Sequence, residues 1–145
     1  MASNRETFWD GASFALVGHS SRKPFPALSY GELKRQGKKV FAVDPSAPRV
    51  LGDRTYADLA SLPEKVDAVV IEVPRDETAR WVERAADAGV KDVWVHMLRE
   101  SPEAIAIARA RGINLRTGSC AMMYLCHGVS YHSVHKALDK ALGRY

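Results

Sequence analysis

A chain of 145 residues has room for one domain with a proper core and too little for two. With 46% hydrophobic and 26% charged residues it matches ordinary globular composition, and no apolar run approaches the roughly 20 residues of a membrane span. The formal charge of +4 comes with cation pairs (Arg22-Lys23, Lys34-Arg35, Lys38-Lys39), without the dense basic face and interleaved aromatics of a nucleic-acid binder. The opening residues lack the apolar core of a secretory signal, and Cys120 and Cys126 form no disulfide framework. The expectation is a cytoplasmic protein with neither membrane nor nucleic acid as a partner.

In chain order, short apolar runs alternate with helical patterns. Phe14–Val17, Val40–Val43, Ala68–Ile71, Val93–Val95 and Ile113–Leu115 read as strands covered on both faces. Pro26 to Gln36 reads as a helix stopped by Gly37, and Thr55 to Leu62 as a shorter one halted by Pro63. Ser46 to Arg54, with its Pro and Gly, reads as irregular. Asp76 to Ala88 carries early acids and sets Ala79, Val82, Ala85 and Ala86 at helical spacing. Ser101-Pro102-Glu103 is a helix start, and Gly112 its stop. A last amphipathic stretch runs from about Ser130 to Leu142.

Strands alternating with helices predict α/β architecture: a single doubly wound, Rossmann-type domain over 1–145. Its parallel sheet has five strands with helices on both faces, the core spanning about 10–120 and a helical tail 121–145. Ligands of such folds sit beyond the carboxyl ends of the strands, so four loops form the candidate site. In the first, Gly18 permits a tight turn, and the N–H groups around His19, Ser20 and Ser21 can face a pyrophosphate. Arg22 and Lys23 add positive charge; the plainer reading is a βα turn with solvated cations. Ser29, early in the helix, can donate to a phosphate or cap its own helix. The next glycine after Gly18 is Gly31, so the G-x-G-x-x-G dinucleotide fingerprint is missing.

In the second loop, Asp44 can grip a ribose hydroxyl, as in NAD binding, or cap the turn that follows. Pro45 offers an apolar surface to adenine, and Arg49 is a cation near enough in sequence to offset Asp44 beside a ribose phosphate. In the third, Val73 and Pro74 can wall an adenine while Arg75 faces solvent or phosphate. In the fourth, His96, Met97 and Leu98 can close the same pocket.

Val17-Gly18-His19-Ser20, Arg22-Lys23-Pro24 and Ser29-Tyr30 open a series of motifs continued by Val43-Asp44-Pro45, Val50-Leu51-Gly52 through Tyr56, and Val73-Pro74. Over residues 10 to 120 the series resembles the CoA-binding domain family, small Rossmann-type proteins similar to the N-terminal domain of the succinyl-CoA synthetase α subunit. The resemblance implies that Gly18, Ser20, Ser21, Arg22, Lys23 and Ser29 hold phosphates, and that Asp44, Pro45, Val73 and Pro74 flank adenosine. It makes Asp44 compatible with coenzyme A and leaves NAD(P) as the alternative cofactor. The chain departs from the family's usual pattern in having His19 for Ala, Glu72 at the end of the third strand, and Met97 for a polar residue.

Cys120, Cys126, His127, His132 and His135 do not assemble the paired thiol and imidazole spacing of a zinc finger, so no metal is expected. Cys120 lacks an activating partner, and no G-x-S-x-G or acid/base pair stands out. The related acyl-CoA synthetases use a phosphorylated His from another domain. The expectation is a non-catalytic binder of CoA or acyl-CoA, a sensor, carrier or accessory protein, with homodimerisation through the last helix as a further possibility. An oxidoreductase-like NAD(P) protein and an interaction module with a degenerate pocket are the alternatives.

Overall fold

The computed structural model describes residues 7–23 and 25–119. Pro24, the last amphipathic stretch and the Cys/His cluster from Cys120 to His135 lie outside the described residues. Every apolar run expected as a strand is one: β1 (Ser13–Gly18), β2 (Lys39–Val43), β5 (Ala68–Glu72), β6 (Asp92–His96) and β7 (Asn114–Ser119). Between them come α1 (Phe25–Arg35), α2 (Arg75–Asp87) and α3 (Pro102–Arg111). The Ser101 hydroxyl caps α3, accepting from the Ala104 N–H at 3.1 Å, as the Ser-Pro-Glu start predicts.

The sheet has seven strands, not five. The two additions, β3 (Arg49–Val50) and β4 (Asp53–Tyr56), form an antiparallel hairpin where an irregular segment and the start of a helix were expected. Its turn explains the difference. Leu51 (φ 48°) and Gly52 (φ 86°) both take the left-handed region, the pattern of a two-residue hairpin that twists with its strands. Glycine at the second position is an ordinary signal for that turn; leucine at the first conceals it. β4 then runs parallel to β2, with Val43 opposite Tyr56. Of the expected Thr55–Leu62 helix, a single 3₁₀ turn at Leu59–Ser61 exists.

The strand order is β3-β4-β2-β1-β5-β6-β7. Connections leave β1 toward β2 and later cross back to β5, so the direction of winding switches between β1 and β5. Alternation along β1 sends Phe14 and Leu16 to one face and Ala15 and Val17 to the other. The first face packs under α1 through Tyr30 and Leu33, the second under α2 and α3 through Trp81, Val82, Ala85, Ala104 and Ala108. Helices therefore cover both faces, as expected of a doubly wound domain. Phe8 and Trp9, ahead of the expected core, also cover the first face, their rings 5.4 and 4.9 Å from that of Trp94.

Candidate functional site

β1 ends at Gly18, opposite Glu72 of β5, and the first loop leaves from there. Gly18 is required by packing. A Cβ on it would stand 2.4 Å from Cγ of Pro26, whose ring α1 presses onto the strand end. The loop then folds on itself, with the His19 carbonyl accepting from the N–H groups of Arg22 (2.9 Å) and Lys23 (3.1 Å). These inward bonds leave the side chains of Arg22 and Lys23 exposed.

On the β2 side of the loop stands Asp44. One carboxylate oxygen accepts from the Ser20 N–H at 2.9 Å and from the Ser20 hydroxyl; the other accepts from the Ser46 N–H (2.9 Å) and hydroxyl (2.6 Å). Burial alone would raise this carboxyl, but the hydroxyl and backbone donors of Ser20 and Ser46 outweigh it and hold the group below its ordinary value. Asp44 is thus an ionised carboxylate that ties β2 to the first loop. Of the N–H groups read as facing a pyrophosphate, that of Ser20 goes to Asp44 and that of Ser21 reaches the Ser46 hydroxyl at 3.5 Å.

On the β5 side stands Glu72, 8% exposed. Ser29, fully buried in α1, neither caps its helix nor meets solvent: it donates to Glu72 Oε1 at 2.7 Å. Burial pushes the Glu72 carboxyl up to about 8, and the single bond from Ser29 opposes this only in part. At neutral pH Glu72 is a carboxylic acid. Among the described residues its Oε2 is buried with no hydrogen-bond partner. Beside it, His19 is 9% exposed, with Nε2 at 3.0 Å from both carboxylate oxygens of Glu77 in the first turn of α2. That pair accounts for His19, which the sequence left without a role.

A cavity opens between these elements, with about 90 Å³ of space for water-sized molecules. His19, Arg22 and Lys23 bring the first loop to it, Val73 and Pro74 the third, and His96 the fourth. Pro26 and Glu72 close its inner side and Arg99 part of its rim. Three of the four loops thus meet at this cavity, and the second does not line it; Asp44 and Ser20 sit together across β1. The remaining candidates lie apart from the cavity. Pro45 is exposed, and Arg49 is spent on the Gly52 carbonyl of the hairpin turn at 2.8 Å. Arg75 donates to the Glu100 carbonyl at 2.7 Å, and Met97 packs on the first-face core. Among the described residues no group of three or more His, Cys, Asp or Glu could hold a metal, and no helix is long and apolar enough to cross a membrane.

Glu77, Arg99 and the Ser29–Glu72 bond were not read from the sequence as parts of the site. One signal was present: an acid closing the apolar run Ala68-Val-Val-Ile-Glu72 must find a partner or stay neutral.

Residues 12–125 match the sequence model of the CoA binding domain. The chain belongs to the CoA-binding domain family. A hypothetical protein from Pyrococcus horikoshii OT3 is similar at 28% identity and a TM-score of 0.73, over 83% of this chain and 85% of its own. A conserved hypothetical protein from Pyrococcus furiosus is similar at 28% identity and a TM-score of 0.69, over 76% and 96%. A dinucleotide-forming acetyl-coenzyme A synthetase from Candidatus Korarchaeum cryptofilum shares 25% identity at a TM-score of 0.60 over 72% of this chain, which spans 25% of that enzyme. Membership of the CoA-binding domain family supports coenzyme A as the ligand class. The NAD(P) alternative leaned on Asp44 and the Rossmann pattern, and in the structure that carboxylate accepts from Ser20 and Ser46.

Proposed function

We propose that this CoA-binding domain holds coenzyme A or an acyl-CoA by its adenosine diphosphate end, without turning it over, as a carrier, sensor or accessory protein. The observation that carries the reading is the meeting of Arg22 and Lys23 with the Val73-Pro74 turn on one cavity at the winding switch. A nucleotide phosphate needs cations that can turn toward it, and both side chains are exposed. An adenine needs a flat apolar wall, and Val73 and Pro74 offer one. Because Asp44 already engages the Ser20 N–H, the phosphates are met chiefly by the two cations and less by loop backbone. Asp44 contributes by fixing the loop that carries them.

Calorimetry with coenzyme A and with adenosine tests this reading. Arg22→Ala combined with Lys23→Ala should weaken coenzyme A about tenfold or more, since each cation gives a charge-assisted contact, and leave adenosine nearly unchanged. Equal losses for both ligands would remove the phosphate role.

A further inference from the structure

The buried polar atoms that carry no hydrogen bond among the described residues include two from residues lining this cavity, Glu72 Oε2 and His19 Nδ1. Their chemistry differs. Glu72 Oε1 accepts from Ser29, so the proton of the neutral acid belongs on Oε2, which is a donor. His19 Nε2 faces the Glu77 carboxylate and carries the ring proton there, so in the neutral ring Nδ1 is an acceptor. A buried donor and a buried acceptor left open each cost stability, which a ligand presenting the complementary pair would recover.

We propose that this cavity recognises a small neutral group that accepts one hydrogen bond and donates another, taking the first from Glu72 and giving the second to His19. The enclosed space suits a group of a few atoms, so the rest of the ligand would lie outside it, along the rim that carries Arg22 and Lys23. The donor at this depth is an uncharged acid, which suits a neutral acceptor better than an anion. The inference rests on the coenzyme A reading above. Within coenzyme A two parts have the required chemistry: an amide of the pantetheine arm, through its carbonyl and N–H, and the edge of adenine, through a ring nitrogen and its amine.

Calorimetry with coenzyme A and with adenosine 3′,5′-bisphosphate, which lacks the arm, tests the assignment. Glu72→Met keeps the bulk and removes the donor; it should weaken binding about tenfold or more. Glu72→Gln keeps an N–H donor and an acceptor for Ser29, so binding should stay within about threefold of wild type. Loss with coenzyme A alone assigns the arm amide, and loss with both ligands assigns the adenine edge. No loss with either, or equal losses in the Gln and Met variants, overturns the proposal while coenzyme A binding stands. Failure of the wild type to bind coenzyme A would take down the functional reading and this one together.

A titration of the wild-type protein settles the matter if the Met variant does not fold. The charged and titratable groups around the cavity are His19, Arg22 and Lys23 of the first loop, Glu77 behind His19, and His96 and Arg99 after β6. Burial and the Ser29 bond set the ionisation of Glu72, so affinity should fall between pH 7 and pH 9 as its proton is lost. A flat profile over that range, or one that persists unchanged in Glu72→Gln, would overturn the assignment.

Discussion

Asp44 and Glu72 occupy matching places, one just past β2 and one at the end of β5, on either side of the strand that feeds the first loop. Both are buried carboxyl groups, yet their protonation is shifted in opposite directions. Asp44 accepts from two hydroxyls and two backbone N–H groups; Glu72 accepts from one hydroxyl. The number of donors decides which carboxyl keeps its charge, since each bond to the ionised form offsets part of the desolvation cost. Charge state in turn divides the labour. The ionised group is consumed in holding the loop, and the neutral one keeps a polar atom open toward a cavity.

The largest test of that contrast is the pH dependence of stability. Between about 4.5 and about 8 the folded protein keeps a proton on Glu72 that the unfolded chain releases. The contribution of Glu72 to stability should therefore be largest below that window and fall as pH rises through it, by at most about 1.4 kcal/mol per pH unit. Urea midpoints across the window check this. Glu72→Gln, neutral at every pH, should flatten the slope; an unchanged slope would mean that Glu72 is ionised like Asp44.

A smaller effect is expected on the other side of β1. Asp44→Ala strands four donors of Ser20 and Ser46 and should cost about 3 kcal/mol, with no change in the Glu72-dependent slope. A cost under about 0.5 kcal/mol would show that water serves those donors equally well and that the carboxylate does not anchor the loop.

Smaller again, Gly18→Ala forces a methyl against Pro26 and should cost about 2 kcal/mol. The damage should fall on the Glu72 side, because Pro26 and Ser29 ride on the same helix. Thermal unfolding at pH 5 and pH 8 separates the outcomes: a penalty that narrows the gap between the two places the strain at Glu72.

Much of this fold was legible because a parallel sheet covered on both faces needs short strands with continuous apolar centres, and β1, β5 and β6 have them. Helix ends were legible for a similar reason, since Ser101 and Gly112 act through their own backbone surroundings. The hairpin was not, because Leu51 supplies a left-handed residue where sequence signals name Gly, Asn or Asp. The site was legible as a set of loops and not as a set of bonds. His19 finds Glu77 across 58 positions and Ser29 finds Glu72 across 43, and partnerships at such separations have no local signature. Arg75 falls under the same limit, its donor ending on the Glu100 carbonyl 25 positions on, whereas Arg49 ends on Gly52 inside the hairpin turn that Leu51 conceals.

The aromatic packing of the two faces has an optical consequence. The chain holds three tryptophans: Trp9 and Trp94 lie together on the face under α1, and Trp81 lies alone on the face under α2 and α3. Each side of the sheet therefore carries its own intrinsic fluorophore. Removing Trp81 leaves emission that reports on the face holding Ser29 and Glu72, and replacing the other two leaves a reporter for the opposite face.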